Sequence, residues 1–303
     1  FQSMIPYIEK ISIQNLSLYS FLASKVDKQT NTIWEILATN IKADSFNLDS
    51  YITNLDKFSQ LNYDEFDKTE LRNFLSKFTC DEFITYMFSH KGPIASTIKD
   101  FYQRASQLEM SSKTANTFEL SNQILIEAGT GTGKTLAYLI PALWHSVMSD
   151  KKVAISTNTI TLQDQLINKE IPALLNSLKQ DVNQLEYTNF AHPQKGKNNY
   201  VCISRYIDIL KSSNLTTDQY RLYSKVGVWI QKTSSGDKNE IHIPGWQNSN
   251  WDKISVGMKH NCNTRGIACF YDHSRKIANI STLLIVNHSL LLADLRSGNN
   301  ILP

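Results

Sequence analysis

The sequence predicts an α/β protein: a parallel sheet with flanking helices, preceded by an α-helical region and interrupted by an inserted, cysteine-containing subdomain. Three observations carry this expectation. After about residue 100, short apolar runs alternate with helical patterns, which is the rhythm of strand–helix–strand units. A Gly/Thr-rich turn, Glu127-Ala128-Gly129-Thr130-Gly131-Thr132-Gly133-Lys134-Thr135, joins one such run to one such helix. Before residue 98 the spacing of apolar residues is helical.

The elements follow in order. Ile33, Trp34, Ile36 and Leu37 share one helical pattern. Phe74, Leu75 and Phe78 mark a second, and Phe83, Ile84, Met87 and Phe88 a third. These aromatics are expected in a core. His90-Lys91-Gly92-Pro93 breaks the run. Gln123-Ile124-Leu125-Ile126 is the first strand candidate, and a helix is expected from about Gly133 to Met148. Val153-Ala154-Ile155-Ser156 is the second strand, followed by a helix over Thr159 to Lys169 with Leu162, Leu166 and Ile167 on one face. Thr282-Leu283-Leu284-Ile285-Val286 is a buried strand near the end. Residues 200 to 280 interrupt the rhythm and read as an insertion. Phe1-Gln2-Ser3 reads as a protease-site scar. The expected division is therefore 1–3 scar, 4–98 helical region, 99–200 first part of the α/β domain, 201–279 insertion, and 280–303 its continuation.

Composition bounds the class. The 303 residues are 41% hydrophobic and 19% charged, which fits one large or two ordinary globular domains. No apolar run approaches the roughly 18 residues of a membrane span, and no secretory signal opens the chain, so a cytoplasmic protein without a membrane partner is expected. Net charge is +3 but uneven: residues 1–100 carry −3 and residues 101–303 carry +6. A mildly basic second part is compatible with a nucleic-acid partner. The four cysteines, Cys80, Cys202, Cys262 and Cys269, have no spacing of a secreted disulfide framework. No Gly-x-Ser-x-Gly elbow or His-Glu-x-x-His motif is present.

The Gly/Thr turn carries the chemistry. A phosphate loop needs small residues so that backbone N–H groups can point at oxygens, a lysine for the β/γ phosphates, and a Ser or Thr hydroxyl for Mg²⁺. Ala128 fills the first position of the eight-residue pattern, usually glycine, and Gly133, Lys134 and Thr135 fill the last three. Gly129 and Gly131 add backbone freedom, with Thr130 and Thr132 between them. ATP with Mg²⁺, the ion held through Thr135, is the expected ligand.

At these residues the chain resembles the DinG/XPD group of superfamily 2 helicases, whose motor has a RecA-like sheet. Glu127 to Leu143, "EAGTGTGKTLAYLIPAL", is similar to that group's motif I. "FYQRASQLEM", Phe101 to Met110, resembles the segment ahead of the ATP site; the resemblance implies that Gln107 contacts adenine and that Arg104 supports the segment. "STNTITLQDQLI", Ser156 to Ile167, resembles motif Ia, which tracks the DNA backbone. Thr157, Asn158, Thr159 and Gln163 would then meet single-stranded DNA through phosphate contacts that read no bases. "KGKNNYVC" (195–202) resembles the segment bearing the first cysteine of the group's iron–sulfur cluster, and "LLIVNHSLLLADL" (283–295) the strand–turn–helix after it. The resemblance covers about residues 100 to 303. Upstream, "IPYIEKISIQNLSLYSFLASKV" resembles the linker after an exonuclease domain in DinG proteins of Gram-positive bacteria, which implies a fragment of a longer polypeptide.

The cluster implied by the family needs four thiolates. Cys202, Cys262 and Cys269 are the candidates, and Cys269-Phe270-Tyr271 with Arg275 matches the family's last-cysteine segment. Members of the family place two more cysteines between the first and that last one, and here the stretch holds only Cys262; His260 could replace a thiolate. The set reads as a degenerate remnant with free thiols. Cys80 suits a small buried residue rather than a ligand.

The family's Asp-Glu-Ala-His element is missing. Asp-Glu pairs occur only at Asp64-Glu65 and Asp81-Glu82, both ahead of the loop. The second motor domain and its arginine finger are not in the chain either. No catalytic residue is assigned: the expectation is nucleotide binding without hydrolysis or unwinding by this chain alone. Two parent functions stay open. One is an ATP-dependent DNA helicase moving 5′ to 3′; the other is a helicase-derived module whose ATP binding gates an attached exonuclease.

Overall fold

The computed structural model of the chain describes residues 13–26, 46–55, 64–182, 189–212, 214–257 and 269–303. The first helices are α1 (Ile13–Ala23), α2 (Leu48–Leu55), α3 (Thr69–Leu75), α4 (Cys80–Phe88), α5 (Pro93–Thr97), α6 (Ala105–Leu120) and α7 (Lys134–Met148). Strand β1 (Val153–Thr157) leads to α8 (Ile160–Gln165), a π-helical stretch (Leu166–Glu170), α9 (Ile171–Ser177) and β2 (Ala191–Pro193). Next come α10 (Ile203–Lys211), α11 (Thr217–Trp229), α12 (Asn248–Ile254), α13 (Phe270–Ile280), β3 (Leu283–Asn287) and α14 (His288–Arg296). The described residues form two compact units, one drawn from 1–62 and 196–274, the other from 63–195 and 275–303.

The second unit holds the sheet. Its order is β1-β3-β2, all parallel, with Val153 opposite Leu283 and Ala191 opposite the same residue on the other edge. A central parallel strand is covered on both faces, so it must be apolar throughout. Leu283, Leu284, Ile285 and Val286 are accordingly all buried. Alternate side chains point to opposite faces. Leu283 and Ile285 enter the main core with Leu139, Ile140 and Leu143 of α7 and Phe83, Met87 and Phe88 of α4. Leu284 and Val286 join Ala278, Leu290, Leu291 and Leu302 on the other side.

Local signals account for the helix starts. Thr79 and Glu82 form a reciprocal capping box that opens α4. Thr159 caps α8 and Asn287 caps α14, each accepting a hydrogen bond from the backbone N–H three residues on. After α8 the helix widens because Pro172 has no N–H for the Asn168 carbonyl. Ile171 N–H reaches back five residues to Leu166 O instead.

The first unit is helical and has a separate core around Leu18, Leu22, Tyr51, Tyr206, Tyr223 and Trp251. Its buried polar tips are satisfied by backbone carbonyls. Tyr51 Oη donates to Gly227 O at 2.7 Å, Tyr206 Oη to Tyr223 O at 2.8 Å, and Trp251 Nε1 to Asn198 O at 2.7 Å.

Several expectations need correction. Gln123–Ile126 is no strand: Leu125 is 98% exposed, and no strand among the described residues pairs with this run. An apolar run becomes a strand only with a ladder partner, and this run pairs with neither outer edge of the β1-β3-β2 sheet. Leu162 is exposed, whereas Leu166 is buried: the inward face of α8 runs through Gln163, three residues ahead of Leu166, and Leu162 falls outside it. Strand β2 was not foreseen; three residues ending at Pro193 give almost no period to read. The helical residues expected as one block over 4–98 divide between the units, with α1 and α2 in the first and α3, α4 and α5 in the second. Ile33, Trp34, Ile36 and Leu37 lie outside the described residues.

Candidate functional site

The phosphate loop precedes α7 directly. Gly133 is its N-cap residue with φ of 76°, and Gly131 has φ of 74°, both in the left-handed region where a Cβ is costly. The first intrahelical bond is Ala137 N–H to Gly133 O at 3.2 Å. The N–H groups of Lys134, Thr135 and Leu136 therefore have no acceptor within the helix, and the 15-residue α7 directs the positive end of its dipole at the loop. Lys134 Nζ donates to Ala128 O at 2.9 Å and to Gly129 O at 2.7 Å, so the ammonium lies across the loop. Thr132 Oγ1 donates to Gly129 O at 3.0 Å, closing the turn around Thr130. Thr135 hydrogen-bonds Tyr138, whose phenol is nevertheless pushed above its ordinary range, chiefly by burial.

Helix α6 braces this loop. Gln107 is 2% exposed, and its Nε2 donates to Gly133 O at 3.0 Å. Its Oε1 is buried without a partner, a free acceptor beside the loop. Four residues on, Ser111 Oγ donates to Ala137 O at 2.8 Å. The donors are one turn apart on α6 and the acceptors one turn apart on α7, so two rungs set the register between the helices. Ser111 was not singled out from the sequence; its i+4 relation to Gln107 was the available signal. Arg104 stands at the N-cap of α6 with its guanidinium over the Tyr102 ring, 4.2 Å from the centroid.

The second candidate region lies at the carboxyl end of β1. Asn158 and Thr159 are exposed. Thr157 is buried and its Oγ1 donates to Thr159 O at 2.9 Å, shaping the turn. Gln163 behaves differently from its expected role: it is 0% exposed, and its Nε2 donates to Ile285 O of β3 at 3.0 Å. Its amide nitrogen is used inside the fold and its Oε1 is buried without a partner, so the side chain presents no face to a DNA strand. The neighbouring Asp164 pairs with Lys195 Nζ at 2.9 Å, where Lys195 is only 3% exposed in its side chain. Gln163 and Asp164 thus tie α8 to the ends of β3 and β2. Ser156 Oγ and His288 Nδ1 are 2.7 Å apart across the β1–β3 pair, a second tie that sequence reading did not isolate.

Among the described residues the cysteines fall in two separate cores. Cys80 is buried at the start of α4 in the core of the sheet unit, where burial and the nearby carboxylates of Glu119 and Asp81 push its thiol up to about 12. Cys202 is buried in the aromatic core of the other unit and Cys269 packs against that core. Cys262 and His260 lie outside the described residues. With four cysteines in the chain and Cys80 built into a different core, the donors do not fit a Cys₄ cluster. Among the described residues no group of three His, Cys, Asp or Glu side chains is placed to hold a metal, and no helix is long and apolar enough to cross a membrane.

Comparison with known proteins places this geometry in context. Residues 108–214 match the family model described as DEAD/DEAH box helicase. The chain is 31% identical over 219 residues to the ATP-dependent helicase DinG of Mycobacterium tuberculosis, covering 66% of this chain and 32% of that protein. It is 34% identical over 218 residues to the ATP-dependent DNA helicase YoaA of Haemophilus influenzae, with 70% and 32% covered. It is 31% identical over 212 residues to the 3′-5′ exonuclease DinG of Bacillus subtilis, with 69% and 22% covered. The aligned part of the chain spans about a third or less of the length of these relatives.

Proposed function

Since the chain belongs to the DinG-type helicases, we propose that it is the nucleotide-binding part of a motor that couples ATP to movement 5′ to 3′ on single-stranded DNA. The observation that carries the reading is the braced loop. Lys134 and the free N–H groups of α7 face the Gly129–Gly133 turn, and Gln107 is locked to Gly133 O with an unpaired acceptor beside it. Such an arrangement fits a triphosphate on the loop, and adenine would reach Gln107 once its buried carboxamide turns outward. Ala128 through Thr135 would hold the phosphates, with Thr135 as the hydroxyl for Mg²⁺. A bound Mg²⁺ ion supplies charge neutralisation of the phosphates. Arg104, stacked on Tyr102, keeps the start of α6 in place. Thr157, Asn158 and Thr159 would meet the DNA backbone, and Gln163 supports that turn from inside.

No Asp-Glu-Ala-His follows the loop in this chain, so binding without turnover is the expected behaviour of residues 1–303 alone. Lys134→Ala should abolish nucleotide binding by the isolated chain. Unchanged ATP affinity in that variant would defeat the assignment of the loop.

A second reading has its own support. Relatives in Bacillus subtilis and Staphylococcus aureus are named 3′-5′ exonuclease DinG, at 31% and 32% identity. In that reading, nucleotide binding here gates an attached exonuclease without unwinding. Strand displacement by the whole polypeptide, with and without Lys134→Ala, separates the two. Lysine-dependent unwinding supports the motor; nucleotide-dependent nuclease activity with no unwinding supports the gate.

A further inference from the structure

Thr135 differs from threonines further inside the helices in where its hydroxyl proton goes. Thr53, Thr85, Thr97, Thr114 and Thr117 each donate to the carbonyl four residues back in their own helix. Thr135 has no helical carbonyl at that spacing. It is the second residue of α7, and the residue four back, Gly131, lies in the loop with φ of 74°. Two loop carbonyls are already engaged: Ala128 O and Gly129 O accept from Lys134 Nζ, and Gly129 O also accepts from Thr132 Oγ1. Among the described residues the Thr135 hydroxyl bonds the phenol of Tyr138, which lies three residues on and on the same face of α7.

The phenol is held in place from two sides. The Tyr138 ring is partly buried and packs against the core of the sheet unit. The preceding residue is pinned as well, because Ala137 O accepts from Ser111 Oγ at 2.8 Å. Replacing this phenol by a benzene ring would therefore remove one hydrogen-bonding oxygen and leave the packing in place.

A hydroxyl has one proton and two lone pairs. A metal ion can use only a lone pair, so a hydroxyl that serves one must send its proton elsewhere. We propose that Tyr138 is a positioning residue for Mg²⁺-nucleotide: its Oη accepts the Thr135 proton and so keeps the Thr135 lone pairs available on the loop side. This rests on the reading of the loop given above and deepens it, because it adds a residue that acts only through Thr135. Partners that orient a metal ligand typically set metal affinity by an order of magnitude or more.

The test uses the whole chain, a fluorescent ATP analogue and a titration with Mg²⁺. Tyr138→Phe should raise the Mg²⁺ concentration at half-maximal binding by about 10-fold, the lower end for losing such a partner. Its affinity for the analogue in EDTA should match the parent, and so should the melting temperature of the nucleotide-free chain. On a Thr135→Ala background, adding Tyr138→Phe should change nothing further, since the hydroxyl it orients is gone. If Thr135→Ala raises the Mg²⁺ requirement and Tyr138→Phe does not, the proposal is overturned and the loop reading survives. Equal weakening by Tyr138→Phe in Mg²⁺ and in EDTA, or a further shift on the Thr135→Ala background, overturns it too. If Lys134→Ala and Thr135→Ala both bind as the parent does, the loop reading falls and takes this proposal with it.

Discussion

Replacing Gly133 by alanine tests the bracing of the phosphate loop most directly. Two costs fall on this position. Its φ of 76° is left-handed, which costs an L-residue about 1–2 kcal/mol. A Cβ there would also lie 2.2 Å from Gln107 Nε2 and 2.9 Å from its Cδ, so the carboxamide must leave. Losing the bond to Gly133 O adds about 1 kcal/mol. Gly131 is the internal control: its φ is 74°, but a Cβ there meets nothing within 4 Å. Gly131→Ala should therefore cost about 1–2 kcal/mol and Gly133→Ala about 2–3 kcal/mol. Urea unfolding measures both, and titration with a fluorescent ATP analogue should show the larger affinity loss at Gly133. Adding Gln107→Ala to Gly133→Ala removes the clash, so the paired cost should be less than the sum of the single costs. If the two glycine variants are equally destabilised and the double variant is additive, Gln107 does not brace the loop and the argument is wrong.

Other expectations follow from the same geometry. Gln163→Leu removes the donor to Ile285 O and should destabilise the chain by about 1–3 kcal/mol while leaving nucleotide affinity near the parent value, read by thermal melting and ATP-analogue titration. Cys80 should resist a thiol reagent at pH 8 in the native chain and react once urea is added. Its thiol is pushed up to about 12 from an ordinary 9.0, so the folded state holds the proton longer than the unfolded chain. The resulting stability is complete below pH 9 and declines as pH rises from about 9 toward 12, which denaturant midpoints across that window should follow. Prolonged treatment with an iron chelator should leave the melting temperature unchanged, because the inserted unit has an aromatic core of its own. An iron-dependent fall in melting temperature would contradict the reading of the cysteines as a remnant.

Much of the site was legible because its chemistry is local. The spacing from Ala128 to Thr135 requires only neighbours in the chain, and the backbone there takes the left-handed glycines that such a loop needs. The capped starts at Thr159 and Asn287 are local too. The apolar run 283–286 announced a strand buried on both faces, and it is the centre of the sheet. Gln163 was misread for the opposite reason. Its sequence neighbours, Thr157 to Thr159, are polar and exposed or turn-forming, but its side chain is captured by a carbonyl on β3, 122 residues away. The run at 123–126 looked like a strand because periodicity reports burial tendency and not the presence of a ladder partner.

The sequence by itself determined the α/β class, the phosphate loop, its lysine and hydroxyl, and the resemblance to DinG-type motors, since each is written in residues a few positions apart. Only the tertiary structure decided that Gln107 and Ser111 brace α7, that Gln163 faces inward, and that Cys80 lies in a different core from Cys202 and Cys269. These are relations between residues distant along the chain, set by which faces bury together and which buried polar atoms find a partner. A one-dimensional pattern carries the tendency to be buried, but the partner is chosen only when the chain has folded.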